Sequence, residues 1–393
     1  MGRHTSHIWK SKMNEGDTEK PKTETSLRNI DYLDLNDRGY RMGEKPAGGL
    51  ILGVLNFLKE FGYILVAVLN LQSGKEEFDN DKHSLPESLG LKLSNEAVSE
   101  TERLREAAGL GIVANPVSRL LYDIGCFFLD KFFDDRPIQR FWFLETVARI
   151  PYFSYVSMLH LYESFGWLRQ PSMRKVHNAE EWNELHHLLI MESLGGDKEW
   201  KDRFIGYHAA IVYYWLLVIV YAGSPRVAYQ FMELLEAHAV DTYGTFLREN
   251  AATLRSLPAP NVARSYYLSE DLYFFDDFQV TRAPGTRRPP CDNMYDVFKN
   301  ILDDEAEHVN TMRACQEYCI SGDRNVVSPF LQDPQEQQMQ QMQQMQQERG
   351  GRDDSLSTPS ITGTTTTVTT TTGRQDWNDW AKEVNEERKD VKS

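Results

Sequence analysis

EEWNELHHLLIMESLGG (residues 180–196) and NILDDEAEHVN (residues 300–310) decide the fold of this chain. Each contains a Glu-x-x-His pair: Glu184 with His187, and Glu305 with His308. Apolar residues around both pairs recur at helical spacing. Residues three apart share one face of a helix, so each pair presents a carboxylate and an imidazole to the same point. One such pair arises easily by chance. Here each pair is preceded by a further helical stretch with a lone acid among apolar neighbours: Glu145 in FLETVA (143–148) and Glu236 in LLEA (234–237).

The order Glu145, Glu184/His187, Glu236, Glu305/His308 is the ligand order of a di-iron carboxylate bundle, ferritin-like in architecture. Any one of these acids could sit on a solvated face. Four acids aimed at one core instead require a cation, because a buried carboxylate is costly unless paired or metal-bound. Oxygen donors with imidazole suit iron and leave coordination positions open. His160, His177, His186, His208 and His238 read as structural or exposed rather than as ligands. Tyr243 follows Glu236 by two helical turns and shares its face. Two readings fit it: an electron and proton donor at the metal, or core packing. Arg140, ahead of Glu145, reads either as a partner for a polar ligand headgroup or as a surface residue.

The chain has 393 residues, 41% hydrophobic, enough for one sizeable core with tails. Its net charge of -15 argues against a nucleic-acid partner. Four cysteines, Cys126, Cys291, Cys315 and Cys319, are too few and scattered for a disulfide framework and read as free thiols. No apolar run lies in the first ~25 residues, so no secretory signal is read there. Acids such as Glu15, Asp17 and Glu19 are unlike a transit peptide.

Four regions follow from composition. Residues 1–47 read as a flexible tail, and 48–105 as an apolar segment and charged linker. The linker turns helical near Ser99-Glu-Thr-Glu102, a capping-box spacing. Residues 106–323 read as an all-α domain, and 324–393 as a low-complexity, disordered tail with a Gln/Met run and a Thr tract. Within the domain, Pro151 is expected to bend or end the helix carrying Glu145. The apolar stretch 209–222 suits a buried bundle helix better than a span. Asp292 is the expected N-cap of the last helix. Residues 258–290 form an irregular aromatic and acidic insert. Arg140, Arg149, Arg169, Arg174 and Lys175 border aromatic-rich helices, which fits either a membrane-interface face or an ordinary amphipathic bundle face.

Longer stretches extend the pattern: LETVARIPYFSYVSMLHLYESFGW from Leu144, EEWNELHHLLIMESLGGD from Glu180, LLEAHAVDTYGTFL from Leu234 and YDVFKNILDDEAEH from Tyr295. On these the chain resembles the alternative oxidase family over about residues 115–320. Two details resemble its plastid branch, the plastid terminal oxidases: Leu-Leu-Glu-Ala-His where mitochondrial members carry three glutamates, and the insert including Leu257-Pro-Ala-Pro260.

The resemblance implies a ferritin-like four-helix bundle with added interfacial helices, seated monotopically on one leaflet. It implies a non-haem centre of two Fe ions held by Glu145, Glu184, His187, Glu236, Glu305 and His308. Tyr243 matches an essential tyrosine beside the iron. Arg140, Leu144 and Thr242 match positions lining a quinone pocket, and Asn183 and Asp304 match partners that orient the ligands. His238 departs from the acidic residue of mitochondrial members. The implied activity is plastoquinol:oxygen oxidoreduction to water without proton pumping, on the stromal face of the thylakoid, with a homodimer through the early helices. The alternatives are a mitochondrial-type ubiquinol oxidase of the inner membrane, a di-iron quinone hydroxylase, and a ferritin-like iron-handling protein.

Overall fold

The computed structural model describes residues 48–68, 85, 89–269, 274–322 and 377–385. The tail expected at 1–47, the Gln/Met run and the Thr tract lie outside the described residues. Among those described there are ten α-helices and no strand. They are α1 (Gly49–Val68), α2 (Asn95–Arg105), α3 (Pro116–Phe133), α4 (Pro137–Ser164) and α5 (Pro171–Ser193). The rest are α6 (Trp200–Gly223), α7 (Pro225–Ser256), α8 (Asn261–Tyr267), α9 (Met294–Ser321) and α10 (Trp377–Asn385).

Local sequence sets most of these boundaries. Proline opens α3, α4, α5 and α7, where its missing N–H costs nothing. Asn115 and Ser224 accept backbone N–H bonds at the starts of α3 and α7. Gly195, at φ 84°, takes the left-handed turn after α5 that a β-carbon would strain. Two expected caps move. Ser94, not Ser99, caps α2, accepting from the Ala97 N–H at 3.2 Å. Asn293, not Asp292, caps α9, in a reciprocal box with Asp296. In both cases a polar residue one or more positions upstream or downstream offers similar chemistry, and the packed neighbours Leu93 and Met294 select the register.

Helices α4, α5, α7 and α9 form the central bundle, with α7 against α9 as its most extensive contact and α4 against α5 next. Pro151 does not end α4, which runs through it to Ser164. Packing against α5 and α6 on two sides outweighs the ~3 kcal/mol cost of an interior proline. The core is aromatic, with Trp142, Phe141, Tyr243, Phe246 and Phe298 all buried.

Helix α6 is not a buried bundle helix. Only Asp202, Gly206, Leu217 and Tyr221 of its 24 residues are buried. Its outer face exposes Ile211, Val212, Trp215 and Ile219, the last at 69%. By length and composition alone it could cross a membrane, but it packs against α4 and α7. An all-round apolar sequence fits a lipid-facing helix as well as a buried one, which periodicity cannot separate. Helix α3 adds Val117, Leu120, Ile124, Phe127 and Phe128 to the exposed apolar surface.

The expected disordered tail is corrected for Trp377–Asn385, which form α10, docked on α7 and α9. Trp377, Trp380, Ala381 and Val384 recur at helical spacing and are buried. The Trp380 indole N–H donates to Asp241 at 3.0 Å, and Arg248 donates to the Val384 carbonyl at 2.9 Å. Asp241 also takes Arg105 from α2 at 2.8 Å. Burial lifts the Asp241 carboxyl to about 6, against the pull of Arg105 and Trp380. A nine-residue helix is marginal alone, so docking holds it. Gly244 makes room, since a β-carbon there would overlap Val384. Trp380→Ala should cost about 3 kcal/mol, and Gly244→Val should unseat α10 and give a similar loss. Thermal unfolding of both variants checks this. Unchanged melting in both would mean that α10 contributes nothing to the folded domain.

Candidate metal centre

Two overlapping groups of side chains meet in the bundle core: Glu145, Glu184, His187 and Glu305, and Glu184, Glu236, Glu305 and His308. Within each group the donor atoms all lie within 4.8 Å of one another. The structure therefore brings together all six residues expected to bind metal, and all six are buried. Glu184 and Glu305 belong to both groups. Glu184 sets Oε2 at 3.4 Å from His187 Nδ1 and Oε1 at 2.8 Å from His308 Nδ1. Glu305 likewise lies 3.2 Å from His187 and 3.7 Å from His308 through its two oxygens.

These donors fit a metal. Both Glu184 oxygens, Glu145 Oε2, Glu305 Oε1 and the Nδ1 of each histidine are buried without a hydrogen-bond partner. Atoms this close that do not hydrogen-bond are aimed at shared points rather than at each other. Burial, and then the charge of Glu184, pushes the Glu145 carboxyl well up. Burial and the charge of Glu305 do the same to Glu236. Glu184 is held low, since against the cost of burial stand His308 and His187. A divalent cation in each group would let all four carboxylates ionise together.

Around this set lies a ring of orienting contacts. His187 Nε2 lies 3.0 Å from Asp304 Oδ2. Asp304 accepts from Asn183 at 3.0 Å, from the Tyr267 hydroxyl at 2.8 Å, and from Arg287 through its other oxygen. Burial would raise Asp304, but the Arg287 guanidinium and His187 keep it below the usual carboxylate range. An ionised Asp304 accepts the His187 Nε2 proton and leaves Nδ1 free to face the cluster. Asn183 also donates to Tyr266 at 2.8 Å. Tyr243 donates to Glu145, and its ring stacks on Phe141 with centroids 4.2 Å apart. Tyr152 donates to Glu236 at 2.6 Å.

Sequence reasoning missed Tyr152, Tyr266, Tyr267 and Arg287. Tyr152 lies seven residues after Glu145, and that two-turn spacing is the same signal that picked out Tyr243. The other three come from the irregular insert, where no periodicity marks them.

The expected quinone-pocket residues lie to one side. A cavity of about 250 Å³ is walled by residues that include Asn95, Glu102, Tyr122, Asp130 and His238. Arg140 is fully buried rather than on the surface, and donates to Asn95 at 2.5 Å, Asp130 at 3.1 Å and His238 Nε2 at 3.3 Å. Since arginine only donates, the His238 proton sits on Nδ1, toward the Tyr122 hydroxyl at 3.3 Å. Burial, then Arg140 and Arg105, lowers His238 to about 3, so the ring is neutral. Thr242 donates to the His238 carbonyl at 2.7 Å. Leu144 is half-buried against the main core. Arg140 and Thr242 act on the cavity through His238, and Leu144, Arg140 and Thr242 are not themselves among its walls.

A family model described as alternative oxidase matches residues 96–317. The chain belongs to the alternative oxidase family. A curated relative, the chloroplastic/chromoplastic ubiquinol oxidase 4 of Arabidopsis thaliana, is 55% identical over 188 residues, 48% of this chain and 54% of that protein. Mitochondrial ubiquinol oxidases are more distant. That of Mangifera indica is 30% identical over 162 residues, 39% of this chain and 49% of its own, and ubiquinol oxidase 2 of Glycine max is 31% identical over 162 residues, 39% of this chain and 46% of its own. The chain thus spans about half the length of the curated relatives it matches. The alternative oxidase match contains all six clustered donors and the insert that supplies Tyr266, Tyr267 and Arg287.

In this alternative oxidase chain, Arg287→Gln should weaken metal binding by about 10-fold to 100-fold, the usual cost of losing a group that orients a ligand. Titration of the metal-free protein with Fe(II) or Co(II) reads this directly. An unchanged affinity would remove Arg287 from the support of His187.

Proposed function

We propose that this chain is a di-iron quinol oxidase of the plastid kind, oxidising plastoquinol and reducing oxygen to water without pumping protons. The observation that carries the reading is the pair of carboxylate–imidazole sets sharing Glu184 and Glu305, with a cavity walled by His238, two residues along α7 from Glu236. Glu145 and His187 complete one site, and Glu236 and His308 the other. Two bound irons would supply the one-electron redox steps and the open positions for oxygen.

The remaining roles belong to the protein. Arg140 fixes His238 neutral at the cavity wall, where it offers a polar contact to a quinol headgroup. Thr242 holds the backbone of that wall. Tyr243 keeps a proton on its hydroxyl, directed at Glu145. Asn183 and Asp304 hold the His187 ring in the orientation that turns Nδ1 inward. The aromatic core excludes water, so protons enter and leave through defined groups. Two quinols supply the four electrons and four protons that turn one oxygen molecule into two waters.

The exposed apolar faces of α3 and α6 support a monotopic seat on one leaflet. A lipid-soluble quinol would then reach the α2–α3 cavity without crossing water. The chloroplastic/chromoplastic name of one relative supports a plastid location, and in this reading the leaflet is the stromal face of the thylakoid. In this reading residues 106–323 carry the oxidase domain, α2 and α10 complete it, and the early helices pair two copies.

Iron analysis and oxygen uptake test the proposal. The detergent-purified chain should hold two irons and consume oxygen with plastoquinol analogues faster than with ubiquinol analogues. Faster uptake with ubiquinol would favour the mitochondrial-type reading. A hydroxylated ring among the products would favour the hydroxylase reading, and iron oxidation without quinol consumption the ferritin-like one.

A further inference from the structure

A second buried network lies away from the cavity and plays no part in the chemistry above. His177 Nδ1 is 2.8 Å from Glu180 Oε2, and His177 Nε2 is 3.1 Å from the Tyr229 hydroxyl. Glu180 accepts, so His177 donates from Nδ1 and accepts a hydrogen bond from the Tyr229 hydroxyl at Nε2. The Tyr221 hydroxyl sits 2.9 Å from that of Tyr229 and completes its hydrogen bonding. His177 and Glu180 are fully buried, Tyr229 is 1% exposed and Tyr221 3%.

The same tyrosine belongs to a line of aromatic rings. On the metal side, Tyr152 lies 5.5 Å from the His308 ring and 6.3 Å from Tyr155, and Tyr155 lies 5.0 Å from Tyr229. On the other side, Tyr221 lies 5.6 Å from Tyr229, 5.1 Å from Tyr155 itself and 6.4 Å from Tyr162, so both Tyr155 and Tyr229 reach Tyr162 through Tyr221. Tyr162 lies 6.1 Å from Trp167, which is 71% exposed. The line runs without a break from a candidate ligand to the surface, and every ring between His308 and Trp167 is a phenol, the side chain that gives up an electron most readily after indole.

We propose that Tyr229, His177 and Glu180 form a second redox-active tyrosine site, and that this aromatic line lets an oxidising equivalent stranded at the metal centre leave for the surface. The inference rests on the metal and oxygen chemistry proposed above. A phenol gives up an electron cheaply only if its proton has a base to go to. Tyr155 points its hydroxyl at the Ala228 carbonyl, 3.1 Å away, which cannot take a proton. Its ring conducts but cannot hold the oxidised state. Tyr229 has an imidazole in place, backed by a carboxylate.

The step balances as follows. Tyr229 loses one electron through Tyr155 and Tyr152 to the oxidised metal centre, and its proton moves to His177 Nε2. The products are a neutral tyrosyl radical and an imidazolium paired with Glu180. A one-electron donor of the hydroquinone or enediol class, meeting Trp167, returns the electron through Tyr162 and Tyr221. The proton then returns from His177. One donor is oxidised by one electron and gives its own proton to solvent, and the Tyr229 O–H bond broken in the first step is re-formed in the second. The alternative is plain core packing, which needs the rings but neither the hydroxyls nor the imidazole.

Two arms test this. In the first, the full chain without added iron is oxidised by photogenerated ruthenium(III) tris-bipyridine and followed by electron paramagnetic resonance. A long-lived tyrosyl radical is expected, lost in Tyr229→Phe and short-lived in His177→Gln, which stays polar but has no basic nitrogen. The same radical in parent and Tyr229→Phe would overturn the site. In the second arm, the iron-loaded chain meets oxygen without quinol, and peptides are mapped by mass spectrometry. Oxidation at Trp167 is expected in the parent and lost in Tyr221→Phe, the ring through which both Tyr155 and Tyr229 reach Tyr162, while quinol turnover in that variant starts at the parental rate and decays sooner. Trp167 oxidation that persists in Tyr221→Phe would overturn the escape line. A radical in the first arm with no Trp167 oxidation in either protein would leave the tyrosine site standing and overturn the oxygen chemistry that is meant to feed it.

Discussion

Glu184→Ala is expected to empty both metal positions at once. Its two oxygens face the two histidines separately, and it belongs to both donor groups. Glu145 and Glu236 each belong to one group, so Glu145→Ala and Glu236→Ala should each weaken one position and spare the other. Turnover should vanish in Glu184→Ala, and so should the stabilisation that bound metal confers, about 2.7 kcal/mol when free metal stands at 100 times its dissociation constant. Without metal the variant should also be less stable than the parent, because the buried His308 and His187 lose the carboxylate that faces them both. Metal analysis, calorimetry with and without Fe(II), and oxygen uptake check these results together. Two metals per chain in Glu184→Ala would refute the shared-ligand arrangement.

Tyr243→Phe should separate binding from chemistry. The hydroxyl is turned to Glu145 and all six clustered donors remain in the variant, so metal content should stay at the parental level. What is lost is the hydrogen bond to Glu145 and the only proton held on that side chain. Burial, then the Glu145 charge, holds the phenol well above its usual range, so it acts as a neutral O–H donor. A positioned proton donor contributes about 10²-fold to 10⁴-fold, and kcat should fall by that order with KM unchanged. The stacked Phe141 contact survives the substitution, so folding should not change. Parental kcat in this variant would take Tyr243 out of the mechanism.

The ligand set was legible because its signals are local. A Glu-x-x-His pair and a lone Glu among apolar residues declare both a helix and a shared face within a few residues. Asn183 and Asp304 adjoin those ligands, and family resemblance marked them. Arg287, Tyr266 and Tyr267 were not legible, since their meeting at Asp304 depends on how an aperiodic insert folds back over α5 and α9. Arg140 could be read either way, because its burial is decided by partners on α2, α3 and α7. Helix α6 misled for a related reason: uniform apolarity states that water is excluded, without saying whether protein or lipid excludes it. Helix α10 carried a readable signal in the spacing of Trp377, Trp380, Ala381 and Val384, overshadowed by the low-complexity sequence before it.

That last helix also constrains the order in which the molecule can be made. Synthesis runs from the N-terminus, and domains generally fold as they emerge. Asp241 is translated 139 residues before its partner Trp380, so the groove between α7 and α9 stays open throughout that interval. The nascent domain therefore displays an apolar trough and a buried-type Asp–Arg pair to its surroundings throughout that interval. Chaperone demand should peak in that interval, and messages cut short between the codons for Ser321 and Trp377 should yield aggregates even though every metal ligand has been made.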